Sequence, residues 1–369
     1  MIDRQRFLGG VSAAVAASTS GVRAQTRDPY KIGMTWPLTG PLASSGLEYM
    51  PGAEVAVVHV NRAGGINGHP LQLDIEDTAG TPQGGVAAMR KLVQVDGCQA
   101  IVTLYTNVVT AQIPLADQLK IPVIGNIQTP GLMSKSPYTF SHAETLVATS
   151  ALFRDYWKAH RYKRIFAFLP NNALGPVFSN LFTAASNDAG AEYAEVRFNY
   201  GDNDYRGLVA RAKDFNPDGV MVAAPGGLDD TVIIKQLREA GVNVQLFVPG
   251  NFIEEPAWRA GVGPYLEGIV MAGLVIDPVT GKQFVDDYRI KTGRTPSPLT
   301  AELYDVIMMV AWAMKRSSYN GEAIAKQLAV LKGVPSAVGG TITMDSEHYS
   351  VPVTDSLRQV RNGKLVKVS

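Results

Sequence analysis

From Tyr30 onward, short apolar runs alternate with segments whose apolar residues recur at the 3.6-residue spacing of a helix. Lys31–Trp36, Leu71–Glu76, Ala100–Tyr105, Val123–Asn126, Arg164–Leu169, Glu195–Tyr200, Gly219–Ala223 and Leu246–Pro249 read as strands. Ala53–Arg62, Val86–Val95, Leu146–His160, Val177–Asp188 and Thr231–Ala240 read as helices. Strands that are apolar at nearly every position are buried on both faces, as in parallel sheets with helices on either side. The pattern predicts an α/β protein.

Two sheets fit this pattern better than one. The first four strands have their own turns and helices, and a second series begins after Pro137. Late in the chain, Thr300–Lys315 predicts a strongly apolar helix and Gly339–Asp345 a strand; Leu303–Met314, interrupted by Asp305, is too short to span a membrane. If these late elements return to complete the first lobe, the chain crosses between lobes near Ser141, Val275 and Ser346. The expected organisation is two doubly wound parallel-sheet lobes joined by three crossover strands, residues 28–141 with 276–346 and residues 142–275 with 347–369. Multiple crossovers make a hinge, and a hinge between two sheets makes a cleft.

Ahead of this pattern, Met1–Ala24 reads as an export signal. Arg4 and Arg6 supply a basic start, Phe7–Val22 is apolar or small, and Val22-Arg23-Ala24 fits a small-x-small cleavage site. Arg4-Gln5-Arg6-Phe7-Leu8 is similar to a twin-arginine motif with its second arginine replaced, which leaves twin-arginine and general secretory routes both open. No cysteine stands near the cleavage site for a lipid anchor. The chain has 34 basic and 33 acidic residues and no basic run, which argues against a nucleic-acid or anionic-lipid partner. Cys98 is the single cysteine, so no internal disulfide forms, and its place between a helix and an apolar strand suits a buried core thiol.

Catalytic motifs are missing. There is no G-x-S-x-G, no G-x-x-x-x-G-K-[ST] and no G-x-G-x-x-G after a strand. The five histidines are scattered without metal-ligand spacing. His142 stands out because it falls at a crossover that faces the cleft. Asp229-Asp230 and Glu254-Glu255 are open to acid–base or capping roles. What the chain does offer is short polar groups after strands: Ser44 and Ser45 after the first, Thr106 and Asn107 after the third, and Thr129 after the fourth. Singly these are helix caps. Together at the carboxyl edge of one sheet they suit an acceptor-rich or anionic ligand. Lys31–Asp77, with its strand, small-residue loop, helix and strand, is the core of that arrangement.

Four segments carry a family resemblance: Pro37-Leu38-Thr39-Gly40-Pro41, Asn61-Arg62-Ala63-Gly64-Gly65-Ile66-Asn67-Gly68, Ile121-Pro122-Val123-Ile124 and Leu237-Arg238-Glu239-Ala240-Gly241-Val242. In this order they resemble the branched-chain amino-acid-binding family of periplasmic solute receptors, the type I Venus-flytrap proteins that feed ABC transporters. The resemblance implies two lobes closing on one small ligand. It implies a carboxylate grip from Ser45, Thr106 (with Asn107 as a register alternative), Ile127 through its backbone, and Thr129. Second-lobe positions fall at or near Leu174, Gly226 and Asn251. The family's disulfide positions correspond to Gly80 and Tyr105, so that bridge is absent. The aromatic contacts of amino-acid binders are lost at Leu174 and Gly226.

The family's acidic partner for an ammonium group corresponds to Asn251, with Glu254 or Glu255 as substitutes if the register shifts. Burying an ammonium without a counter-charge costs several kcal/mol. The expected ligand therefore has a carboxylate or other polar head and an uncharged, aromatic body, with Trp36, Tyr105 and Phe252 as flat walls. The resemblance further implies a monomeric periplasmic receptor that hands its ligand to a membrane permease, with no catalysis, cofactor, metal or membrane insertion. An amino-acid or amide receptor, a sensor passing its ligand to a signalling partner, and a secreted hydrolase or lyase on the same scaffold are the alternatives.

Overall fold

A computed structural model describes residues 27–143, 145–224, 228–250, 252–253, 255–350 and 356–368. The expected export signal, Gly226, Asn251 and Glu254 lie outside the described residues. The strands are β1 (Tyr30–Trp36), β2 (Leu71–Asp77), β3 (Ile101–Leu104), β4 (Val123–Asn126), β5 (Thr139–His142), β6 (Arg164–Pro170), β7 (Glu192–Phe198), β8 (Gly219–Val222), β9 (Gln245–Val248), β10 (Val270–Gly273), β11 (Lys332–Pro335), β12 (Thr341–Thr343), β13 (Tyr349–Ser350), β14 (Ser356–Arg361) and β15 (Lys364–Lys367).

These strands build two main sheets, in the orders β13-β5-β4-β3-β1-β2 and β15-β14-β10-β9-β8-β6-β7. All pairs of the first sheet are parallel. The second is parallel from β7 to β10 and ends in the antiparallel pairs β10–β14 and β14–β15, so it is mixed. Sheet membership carries the chain across between β5 and β6, after β10, and between β13 and β14. The last passage falls after Ser350 rather than near Ser346, because Tyr349 and Ser350 still pair with Ser141 and His142.

The near-continuous apolar strands are explained by two-sided burial. In β3 and β4, Val102 and Ile124 join the core under the helices Ala43–Arg62 and Pro298–Lys315, whereas Ile101 and Val123 join the core under Pro82–Gln94 and Thr106–Leu119. The second sheet repeats this, with Phe166, Val220 and Leu246 on one face and Ile165, Met221 and Phe247 on the other. The segment expected as one late strand, Gly339–Asp345, shortens to β12, which pairs with β11 in a separate ribbon packed on the first core.

The first helix begins at Ala43, not Ala53. Pro51 removes one helical N–H, but the helix continues because its next residue abuts the helix Pro298–Lys315. A Cβ on Gly52 would lie 2.3 Å from the Thr300 carbonyl oxygen, so only glycine admits this approach. None of the described helices is long and apolar enough to cross a membrane.

Candidate functional site

The carboxyl ends of β1, β3 and β4 lie side by side and run into polar turns or helix starts, the usual ligand edge of an open parallel sheet. Between the two sheets is a cavity of about 110 Å³. Trp36, Tyr49, Thr103, Leu104, Tyr105, Thr106, Asn126 and Gln128 line it from the first sheet's side, and Leu174, Pro249, Gly250 and Phe252 from the second. The crossover Ala272–Leu274 and the start of the helix Pro298–Lys315, including Leu299, Glu302 and Leu303, complete it.

Backbone strain marks the third strand end. Tyr105 has φ +73°, a conformation that costs on the order of 1–3 kcal/mol for a non-glycine residue. It turns the chain from β3 into the helix Thr106–Leu119, with Tyr105 and Thr106 both in the cavity wall. The site is thus held by its surroundings before any ligand arrives.

The polar groups are tied into networks. Trp36 Nε1 donates to the Gly46 carbonyl at 2.7 Å, fixing the ring in the wall. Ser45 hydrogen-bonds the phenols of Tyr49 and Tyr105, and burial pushes both phenols well above their ordinary range. The Tyr49 hydroxyl donates at 2.9 Å to Glu255 Oε1, across the cleft from the second lobe. Burial raises the Glu255 carboxyl to about 8. The Thr106 and Thr129 hydroxyls lie 2.8 Å apart, and the Tyr349 hydroxyl donates to the Thr129 carbonyl. Asn126 Nδ2 donates to the His142 carbonyl at 3.1 Å and to Glu302 Oε2 at 2.8 Å.

The structure brings Trp36, Tyr105, Thr106, Leu174 and Phe252 into the wall, with Ser45 and Thr129 one hydrogen bond behind it. Other expectations need correction. Ser44 and Ser45 sit in the first turn of a helix rather than on a loop, and Ser44 does not line the cavity. Asn107 donates to the Gly80 carbonyl at 2.9 Å, away from the wall. Ile127 is buried, and its N–H donates to Ser141 Oγ at 2.9 Å, so this amide is consumed inside the fold; Gln128 lines the cavity instead.

His142 does not face the cleft. It is fully buried in β5, with Nδ1 2.9 Å from Ser350 Oγ and Nε2 3.4 Å from Asp305 Oδ2. Asp305 in turn accepts from Ser336 Oγ and the Ala337 N–H, so this cluster ties β5, β13 and the helix Pro298–Lys315 together. Asp229 and Asp230 start the helix Asp229–Glu239 and are also buried. Trp258 Nε1 donates to Asp230 at 2.6 Å, and burial lifts the Asp230 carboxyl to about 8. Cys98 is a buried thiol, pushed up to about 12 by burial.

Tyr49, Thr103, Asn126, Gln128 and Glu302 are the polar wall residues that sequence reasoning missed. Glu302 had a readable signal, since it is an acid in an apolar helix and is only 3% exposed.

A family model for periplasmic binding proteins matches residues 29–363. A Leu/Ile/Val-binding protein homolog from Brucella melitensis is 26% identical over 94% of this chain and 91% of its own length. A leucine-binding protein structure from Thermotoga maritima superposes with a TM-score of 0.83 at 21% identity, covering 92% of this chain and 98% of that one. A Rhodopseudomonas palustris solute-binding protein, solved with 3,4-dihydroxybenzoic acid, gives 0.80 at 23% identity, covering 93% and 96%. With two sheets linked by several chain crossings, a cavity between them and a match along almost the whole fold, the chain belongs to the type I periplasmic binding proteins, the family of the leucine/isoleucine/valine receptors of ABC transporters, which are solute receptors and not enzymes.

Proposed function

We propose that this chain is the periplasmic receptor of an ABC importer. It captures one small carboxylate-bearing ligand with an aromatic or otherwise uncharged body and presents it, as a monomer, to a membrane permease. The observation that carries this reading is the makeup of the cavity. Four rings line it, those of Trp36, Tyr49, Tyr105 and Phe252, and no lysine or arginine is among its described lining residues. A carboxylate there is held by hydroxyls and N–H groups such as those of Thr106 and Gln128. A volume of about 110 Å³ is of the order of the ~150 Å³ cavity that holds one benzene ring. The dihydroxybenzoate in the Rhodopseudomonas palustris neighbour supports the same class. The basic start, apolar stretch and small-x-small end of Met1–Ala24 support the compartment.

The receptor works by capture and closure, not by catalysis. Ligand docks on the first lobe, and closure adds Leu174 and Phe252 from the second. The closed population rises only by the ligand's preference for that state. Delivery requires release, which suits a Kd from micromolar to nanomolar, about −8 to −12 kcal/mol.

A second reading, an amino-acid receptor, is favoured by the Glu302 carboxylate in the wall and by the names of the Brucella relatives. Thermal-shift and calorimetric titrations with benzoate, phenylacetate, hydroxybenzoates, leucine, valine and short amides decide between the two. An aromatic acid at 100 times its Kd adds about 2.7 kcal/mol of stability. Stabilisation by leucine or valine alone would overturn the aromatic-acid reading.

A further inference from the structure

We infer that the chain has a second ligand site, a groove behind the cleft that takes a small organic dianion, an aromatic phosphate or dicarboxylate, and holds it between the two lobes. The groove has a volume of about 730 Å³, within the roughly 300–1,000 Å³ of small-molecule sites. One bank is the helix Lys282–Thr292, whose Phe284 and Tyr288 pack with Val55 and Ala301 of the first lobe. The other bank is β14 and β15 of the second sheet. Pro298 lines both this groove and the cleft cavity, so the two sites stand back to back.

Charge points to an anion. Four cations line the groove, Lys282, Arg289, Arg358 and Lys364, against two carboxylates, Asp277 and Asp286. Both carboxylates are engaged: Asp286 pairs with Lys282, and Asp277 accepts from the Val279 and Thr280 N–H groups at 2.9 and 2.8 Å. Among the described residues, no carboxylate lies within ion-pair distance of Arg289, Arg358 or Lys364. Arg358 is the centre of the site. It is half-buried on β14, opposite Met271 of β10, and its Nε is buried with no acceptor among the described residues. An arginine side chain stays charged, and a charge held out of water without a partner is costly. Its planar fork matches the paired oxygens of a phosphate or carboxylate. Val275, Ile276, Pro278 and Leu365 line the same groove and offer an apolar surface to the body of the ligand.

Calorimetric titrations of the full chain at low salt and about pH 8, with phenyl phosphate, phthalate and inorganic phosphate, test this. Phenyl phosphate or phthalate is expected to bind at least tenfold tighter than inorganic phosphate, which has the charge without the apolar body, and the tighter of the two tells phosphate from carboxylate. Arg358→Gln on the second lobe and Arg289→Gln on the first should each weaken that binding about tenfold, and Arg358→Lys should recover part of it. Lys364→Gln, at an exposed position, should weaken it too and keeps the test open if the Arg358 variants do not fold. Lys158→Gln, exposed on the remote helix Leu146–Ala159, should leave it within about twofold. Affinity that ignores the Arg358, Arg289 and Lys364 substitutions puts the probe elsewhere and overturns the inference. An equal loss in Lys158→Gln, or no binding up to about 10 mM, overturns it as well. An unchanged Arg289→Gln alone overturns the bridge between lobes. The receptor reading stands or falls separately, on the titrations given above.

Discussion

Glu255 offers a direct test of how the two lobes hold each other. It lies after β9 of the second lobe, is 7% exposed, and accepts from the Tyr49 hydroxyl of the first. Burial lifts its carboxyl from the ordinary 4.5 to about 8, so its contact with Tyr49 holds it neutral below that pH. Raising a carboxyl's pKa by one costs its ionised form about 1.4 kcal/mol, which makes ionisation in place unfavourable by about 5 kcal/mol. The folded pKa is above the unfolded one. The associated stability is therefore fully present below about pH 4.5 and is lost as pH rises through 8.

Glu255→Gln removes the titration while leaving an oxygen for Tyr49. Melting temperature and urea unfolding, followed from pH 5 to 9 at constant ionic strength, should show the wild type losing stability across this range. The variant should lose less, by up to about 1.4 kcal/mol per pH unit, the slope of one proton. Some slope remains in both, because Asp230 is also raised to about 8. Ligand affinity should weaken at high pH in the wild type and less in the variant, because opening the cleft rehydrates the carboxylate. Parallel stability profiles for the two proteins would refute the reasoning.

Other expectations follow from packing and hydrogen bonding. Gly52→Ala should destabilise by about 1–3 kcal/mol in urea titration, since its Cβ would meet the Thr300 carbonyl at 2.3 Å. Gly207→Ala is the contrasting case: it lies exposed in the helix Arg206–Phe215 with nothing within 4 Å, so it should be neutral or stabilise by up to about 1 kcal/mol. Trp258→Phe keeps a ring but takes a donor from buried Asp230, and calorimetric unfolding should show a loss of about 1–3 kcal/mol. Thr106→Val keeps the shape but removes the hydroxyl paired with Thr129; Kd for the ligand should rise about tenfold while the melting temperature stays within a few degrees.

The alternation of apolar strands and helices was readable because parallel strands buried on both faces need apolar residues at every position. Val102 and Ile101 serve opposite cores one residue apart. The polar edge of the first sheet was readable for a similar local reason, since hydroxyl-bearing residues cluster where strands end. The first helix starts ten residues before Ala53 and runs through Pro51, which local propensity disfavours inside a helix, whereas the contact of Gly52 with Thr300 comes from far along the chain.

Ile127 and His142 show the limit for single residues. The amide of one is spent on Ser141 and the ring of the other on Ser350 and Asp305, and no local pattern reveals that a donor is already taken. Periodicity and strand-end chemistry, carried within a dozen neighbouring residues, by themselves determined an α/β receptor-like fold with a polar sheet edge. Which groups face the ligand, and that Glu302 and Asn126 meet there from segments distant in sequence, was decided only when the hinge brought two sheets and a late helix together. Hydrogen bonds and burial depend on distance in space, and the sequence orders residues only along the chain.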